Sequence, residues 1–208
     1  MNIAELQRIY ASHPNVAGLM SLLDNKDIRT IYLKGMHASC ASLFASGIFD
    51  KVPGIYVFIL NDVEEAGYFY HDLVQVNGDE QILFFPSSYR RAIKYGQKDA
   101  ANEILRTEVL SRLGKQESLV VVTYPDALAE KVVSCQYLSD RTLKLDVGQH
   151  IETDKITALL VEYGFEHVDY VYEPGQFATR GSILDVYSFA SELPYRIDFF
   201  GDEIDSIR

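Results

Sequence analysis

Cysteine, positive charge and long apolar runs are all scarce in this 208-residue sequence. The two cysteines, Cys40 and Cys135, form no Cys-x-x-Cys pair, so neither a disulfide framework nor a structural zinc site is supported. Lysine and arginine total 19 against 30 acidic residues, and the formal charge of −11 disfavours unaided binding to nucleic acid or an anionic membrane. No apolar run approaches the roughly 18 residues of a membrane span, and the start lacks a signal peptide. These absences predict a cytoplasmic protein without a membrane partner.

The first two thirds of the chain alternate between helical and strand patterns. Asn61 or Asp62 is suited to cap one of the helices, because acidic residues follow in its first turn. The apolar strand over 54–60 is expected to be covered on both faces. The patterns predict helices over 3–11, 14–25, 38–48, 99–113 and from Pro125 to about 133, and strands over 30–33, 54–60, 81–85 and 118–123. Such alternation predicts an α/β domain with a parallel sheet over residues 1–137.

After about residue 138 the apolar pattern changes to a period of two. Residues 139–208 hold 6 basic and 14 acidic residues. The patterns predict strands over 142–147, 166–171, 176–180, 183–187 and 195–200, and one helix over 151–163. Short turns between the strands predict a small, acidic α+β domain with an antiparallel sheet over residues 138–208. The chain ends directly after a strand-like run, which we expect to mark a break within a longer protein.

The segment from Gly35 to Ser42 has the position and length of a phosphate-binding P-loop, between a predicted strand and a predicted helix. Cys40 replaces the second glycine, and Ala41 replaces the lysine that would reach the β- and γ-phosphates. We therefore interpret Gly35, Cys40, Ala41 and Ser42 as a degenerate P-loop in a P-loop NTPase-like domain, and expect no cofactor. The alternative is a residual nucleotide site in which Ser42 and Asp126 hold magnesium.

Other residue patterns give little sign of an enzyme. Asp126 follows an apolar strand, as a magnesium-binding aspartate would, but Pro125 indicates a carboxylate in the first turn of a helix. The five histidines show no helical metal-binding spacing, and no nucleophile elbow is present. A local basic stretch is either a solvated surface or a contact for DNA or another partner; it comprises Arg90, Arg91, Lys94 and Lys98.

A polar sheet face is the remaining candidate site. Residues two apart in a strand share a face, so Arg196, Asp198 and Phe200 project together, as do Ala178 and Arg180. If Phe177, Ile197 and Phe199 pack under the helix, the charged side chains lie on an open face. Planar guanidinium groups there suit polar recognition of a partner, but cross-strand Arg–Asp pairs within the sheet are equally supported.

Two runs of this sequence, 175–187 and 195–208, closely resemble the bacterial transcription-repair coupling factors (Mfd), in their amino-terminal UvrB-like module. The excision-repair protein UvrB carries a similar stretch. The resemblance is strong over residues 174–208 and weaker over 84–87 and 122–128.

The resemblance implies a P-loop degraded at Cys40 and Ala41 and an acidic α+β domain that binds the damage-recognition ATPase UvrA. Arg180 matches an arginine of the UvrB strand, and a later Arg-x-Glu of UvrB falls on Arg196 and Asp198. Phe200 is added to these candidate contacts because it shares their face, whereas UvrB has a further arginine where this chain has Ala178. The resemblance further implies that this fragment does no catalysis. RNA polymerase and duplex DNA would be bound by domains downstream of it.

Overall fold

The computed structural model of the chain describes residues 2–49, 51–89 and 99–208. The chain divides into two compact units. The first unit comprises Met1–Ser87 and Lys115–Glu130, and the second comprises Ser88–Gly114 and Lys131–Arg208. The helix over 99–113 therefore groups with the second unit, and the limits 1–137 and 138–208 stay a prediction. Among the residues described, none of the helices has the length and apolar character required to span a membrane.

The first unit is built around a parallel sheet, as predicted, but the sheet has three strands rather than the four predicted. Its elements are α1 (Ile3–Ala11), α2 (Pro14–Leu23), α3 (Cys40–Phe49), β1 (Ile55–Ile59), α4 (Val63–Asn77), β2 (Ile82–Phe85), β3 (Leu119–Thr123) and α6 (Pro125–Ala129). The strand order is β1-β3-β2, with Val57 and Leu83 both in register with Val121 of the central strand. Asp62 caps α4 by accepting a hydrogen bond of 2.9 Å from the Glu65 amide, which confirms one of the two predicted caps.

Two predictions for this unit are wrong. The outward residues of β1, Ile55, Val57 and Ile59, are about half exposed, so only the central strand β3 is buried throughout. Residues 30–33 form no strand. Ile31 packs against the cluster of α2 and α3, but Tyr32 and Leu33 stay exposed, so this run buries too little apolar surface to hold a place in the sheet.

The second unit has a five-stranded sheet with one helix on its inner face. Its elements are α5 (Ala100–Leu113), α7 (Cys135–Asp140), α8 (Thr153–Glu162), β4 (Glu166–His167), β5 (Gln176–Arg180), β6 (Ile183–Val186), β7 (Tyr195–Phe200) and β8 (Glu203–Ile207). Ile156 and Leu160 of α8 pack on residues of β5 to β8, among them Phe177, Ile197 and Phe199, to form one core cluster. Helix α8 lies within the predicted helix over 151–163, and Phe177, Ile197 and Phe199 face it as predicted.

The sheet is mixed rather than antiparallel. Strands β5 to β8 are antiparallel neighbours, but β4 pairs with β5 in the parallel direction, with Glu166 opposite Gln176. The connection over 168–175 is long enough to return the chain to the start of β4, whereas a tight hairpin would have reversed its direction. Where a strand was predicted over 166–171, the structure has only the two-residue strand β4.

Three further elements differ from the prediction. Residues 142–147 form no strand. Leu143 and Leu145 still pack against the core, but from a segment without regular secondary structure. The helix that starts at Pro125 ends at Ala129, and α7 was not predicted. A register shift where β7 pairs with β8 lets both Ile204 and Ile207 reach the core although they lie three residues apart.

Candidate protein-binding face

The outer face of the second-unit sheet carries the charged residues. Phe177 and Ile197 are buried in the core under α8, so their neighbours along each strand project from the opposite face. The register aligns Ala178, Asp185 and Arg196 in one row across β5, β6 and β7. We call the charged residues of this outer surface the arginine face: Arg180, Asp185, Arg196, Asp198 and Arg208.

Asp185 is the common hydrogen-bond acceptor of two arginines. Its carboxylate accepts from Arg196 Nε at 2.7 Å and from Arg196 Nη2 at 2.9 Å, and also from Arg180 Nη2. The Asp185 side chain is only 9% exposed, whereas those of Arg180 and Arg196 are 42% and 44% exposed. One buried carboxylate thus fixes two guanidinium groups that remain open to solvent.

These bonds also set the ionisation of the carboxyl group. The hydrogen bonds from Arg196, followed by those from Arg180, hold the pKa of Asp185 below its ordinary value, and they outweigh the opposing effect of burial. Asp185 in turn raises the pKa of Arg196. Asp185 is therefore ionised at neutral pH, and its carboxylate forms ion pairs with both arginines.

Asp198 belongs to a second, smaller group on the same face. Its carboxylate accepts from Ser206 Oγ at 3.0 Å and pairs with Arg208 Nη2 at 2.8 Å. Asp198 and Arg196 lie two residues apart on the same face of β7, and the charge of Asp198 is a minor contribution to the raised pKa of that arginine. Its direct partners nevertheless lie on β8 and at the end of the chain, where the sequence alone indicated none.

Aromatic side chains border the arginine face. The Arg180 guanidinium lies 5.0 Å from the centre of the Tyr170 ring, within the range of a cation–π contact. Tyr170, Tyr172 and Tyr195 are exposed and line, together with the arginines, an open groove of about 490 Å³. Phe200, predicted to share this face, is 80% exposed at the end of β7. Exposed tyrosine and arginine are the residue types enriched where protein partners bind tightly.

The structure brings Arg180 and Arg196 together and shows what sequence reasoning missed. Asp185 was overlooked because it stands in an apolar run, and only the strand register reveals that it faces both arginines. Tyr170 was assigned to the predicted strand over 166–171, whereas it lies together with Tyr172 in the connection after β4. An acidic residue within an otherwise apolar strand is the one sequence signal that could have identified Asp185.

The P-loop-like segment differs from the predicted context. Residues 2–34 contain no strand before it, and Gly35 is exposed with a positive φ of 86°. Ser42 is fully buried in α3, and its hydroxyl lies 2.9 Å from the Ser39 carbonyl oxygen and 3.1 Å from Asp72 Oδ2. Cys40 and Ala41 are half-buried in the first turn of the same helix. A magnesium ion could reach the Ser42 hydroxyl only by breaking these contacts, and the nucleotide-binding interpretation remains a prediction.

The other candidates contribute no assembled site. Asp126 lies in the first turn of α6, in agreement with the helix-start interpretation. Within residues 2–49, 51–89 and 99–208, no group of three or more histidine, cysteine or acidic residues could hold a metal ion. The basic residues Arg90, Arg91, Lys94 and Lys98 lie outside the described residues.

Comparison with known proteins points to one functional context. Residues 143–208 match the family described as the UvrB interaction domain, and this range contains the whole arginine face. The chain is 30% identical to the transcription-repair-coupling factor of Bacillus subtilis over 176 residues and 32% identical to that of Escherichia coli over 173 residues. These alignments cover 85% and 82% of the chain but only 15% of either relative.

UvrB proteins are similar over a comparable share of the chain. The UvrABC system protein B of Streptococcus uberis is 29% identical over 184 residues, which is 78% of this chain and 26% of that protein. The matches to both groups extend well beyond the UvrB interaction domain into the first unit. These similarities support an amino-terminal UvrB-like module of the kind found in transcription-repair-coupling factors.

Proposed function

We propose that this chain is the module that recruits UvrA, the damage-recognition ATPase of nucleotide excision repair, and that the arginine face is its contact surface. The observation that carries this proposal is the pair Arg180 and Arg196, which are held by one buried carboxylate yet are more than 40% exposed. This pair lies within the residues that match a UvrB interaction domain.

The chemistry of the face suits a protein partner with acidic groups. A guanidinium group is planar and presents several N–H donors, so it pairs well with a carboxylate. The neighbouring tyrosines offer apolar area together with a hydroxyl that hydrogen-bonds. A standard interface buries roughly 800 Å² on each partner, and a few arginine and aromatic residues usually dominate its energy.

The proposed role of this chain is recruitment without catalysis. Ala41 stands where a P-loop carries its lysine, so a bound nucleotide would lack the charge that holds its terminal phosphates. Ser42, the other residue such a site would use, hydrogen-bonds within the protein. Binding to RNA polymerase and ATP-driven movement on duplex DNA would belong to other parts of the coupling factor.

Calorimetric titration of residues 1–208 with purified UvrA tests the proposal. We expect the parent chain to bind, Arg180→Glu to show no measurable binding, and Arg180→Ala and Arg196→Ala to bind at least about tenfold more weakly. Lys155→Glu is the matched control, because it reverses one charge on the exposed side of α8. The proposal would be contradicted if a folded parent chain did not bind UvrA. It would also be contradicted if Lys155→Glu weakened UvrA binding as much as Arg180→Glu does.

A further inference from the structure

Asp185 has an unusual position for a charged residue. It lies in the middle of β6, between two buried neighbours, and its whole residue is 7% exposed. Burial of a lone carboxylate is strongly unfavourable, so such a residue persists only where its charge is compensated. Here the compensation comes from both neighbouring strands, through Arg180 on β5 and Arg196 on β7.

The geometry leaves some N–H donors of the two arginines without a hydrogen-bond acceptor among the described residues. Arg180 uses its Nη2 group and Arg196 uses Nε and Nη2 to reach Asp185. A guanidinium group has five N–H donors, so each arginine retains donors that no described residue of the chain engages. One negative charge also balances only one of two positive charges, so the trio keeps a net positive charge.

A small residue makes this arrangement possible. Ala178 lies directly opposite Asp185 in the register and two residues before Arg180 on the same strand. Its methyl group leaves room for the Arg180 side chain to run back across the face to the carboxylate. Arg196 is directly opposite Asp185 on the other side and needs no such space.

We propose that Asp185 is a positioning residue of the UvrA contact: it holds the guanidinium groups of Arg180 and Arg196 in one orientation, so that their remaining N–H groups meet carboxylates on an acidic partner surface. This inference rests on the proposed function. Asp185 itself is covered by the arginines and acts through them. Fixing the arginines in advance reduces the side-chain entropy that binding would otherwise remove.

The first test needs no substitution. In the free parent chain, the Arg196 Nε–H group should give an NMR order parameter close to that of the β7 backbone, because its donor is bound to a buried acceptor. Arg208, whose side chain is 67% exposed, should give a lower value. An Arg196 Nε–H group as mobile as that of Arg208 would overturn the positioning role, whatever any variant does.

The second test measures UvrA binding by calorimetry for the parent, Asp185→Asn and the control Asp154→Asn. Asp154→Asn removes the same charge from the first turn of α8, away from the arginine face. We expect Asp185→Asn to weaken binding at least about tenfold and to mobilise the Arg196 Nε–H group, while Asp154→Asn binds as the parent does. In an Arg196→Ala chain, the Asp185→Asn change should cost about threefold or less, because half of its effect has already been removed.

The two proposals fail in different ways. If the parent chain does not bind UvrA, the proposed function is wrong and this inference falls with it. If the parent binds and a folded Asp185→Asn chain binds equally well, only the positioning role is wrong. The positioning role would also be wrong if Asp185→Asn weakened UvrA binding as much in the Arg196→Ala chain as in the parent. Asp185 would then act independently of Arg196.

Discussion

At the scale of single residues, the Asp185 carboxylate ties the stability of the second unit to pH. Its pKa is lowered in the folded chain, chiefly by the hydrogen bonds from Arg196, whereas an aspartate in an unfolded chain has a pKa of about 3.9. A lowered folded-state pKa stabilises the folded chain above the unfolded value, and this stabilisation is lost as pH falls through the folded pKa. The contribution of Asp185 is therefore fully present at neutral pH.

We expect Asp185→Asn to lower the free energy of unfolding at pH 7 by about 1–2 kcal/mol. The figure is modest because both arginines are nearly half exposed and solvent screens their attraction. Below the unfolded value of about 3.9 the difference between parent and variant should begin to narrow, because the unfolded parent chain takes up the proton first and the folded carboxylate follows at lower pH. Urea unfolding at pH 7, 4 and 3 measures this difference, and a gap that stays constant over that range would show that the charge of Asp185 does not stabilise the fold.

The same residues show how far sequence reasoning reaches. The two-residue period of a strand correctly placed Arg180 and Arg196 on the face opposite Phe177 and Ile197. It could not identify Asp185 as their shared partner, because cross-strand neighbours depend on register, and register is a property of the assembled sheet. The sequence thus predicts which face a side chain occupies, whereas its partners on that face follow from tertiary pairing.

At the scale of elements, the turn before β5 depends on a glycine for two reasons. Gly175 has a φ of +88°, a conformation that other residues adopt only with strain. Its amide donates to the Tyr187 carbonyl oxygen at 2.7 Å, and its carbonyl oxygen accepts from the Glu166 amide at 2.8 Å, so this backbone joins three parts of the sheet. A Cβ atom there would overlap the Phe189 ring, contacting Cζ and lying 2.7 Å from Cε1.

Gly175→Ala should therefore lower the free energy of unfolding by about 2 kcal/mol, as the sum of backbone strain and displacement of the Phe189 ring. Gly148→Ala is the matched control, because Gly148 has a similar φ of +83° but open space around its Cβ position. The control should lose only about 1 kcal/mol from strain. Denaturant unfolding of both variants checks the difference, and equal losses would mean that the contact with Phe189 contributes nothing.

Elements with a strong local pattern were predicted, and those that depend on distant partners were not. Helix α8 and strands β5 and β7 carry regular apolar periods, and they form where these periods indicate. Residues 142–147 alternate equally well but find no strand to pair with, so they bury Leu143 and Leu145 as irregular chain. The apolar run of β1 predicted a strand correctly, but its outer face is about half exposed, whereas β2, also at an edge of the sheet, is largely buried. An apolar run alone does not show whether another element covers a given face of a strand.

At the scale of the whole molecule, the distribution of charge separates the possible partners. The chain has a formal charge of −11, and residues 139–208 hold 6 basic and 14 acidic residues. Three of those six basic residues, Arg180, Arg196 and Arg208, gather on the arginine face. An acidic protein surface can approach this local positive site closely, whereas a long phosphate backbone would also meet the surrounding negative charge.

We therefore expect no binding of the chain to duplex DNA near physiological salt, in contrast to the hypothesis of direct DNA contact through the basic stretch Arg90, Arg91, Lys94 and Lys98. Non-specific DNA binding depends on the release of counterions from many phosphates, and a net negative chain gains little from that release. Fluorescence anisotropy of a labelled duplex at about 150 mM salt measures the affinity, and at about 20 mM salt it shows any weak electrostatic contact. Micromolar affinity with a steep salt dependence, abolished when those four residues are changed to alanine, would restore the DNA-binding hypothesis. The same four substitutions should leave UvrA binding unchanged, because the proposed contact lies on the arginine face.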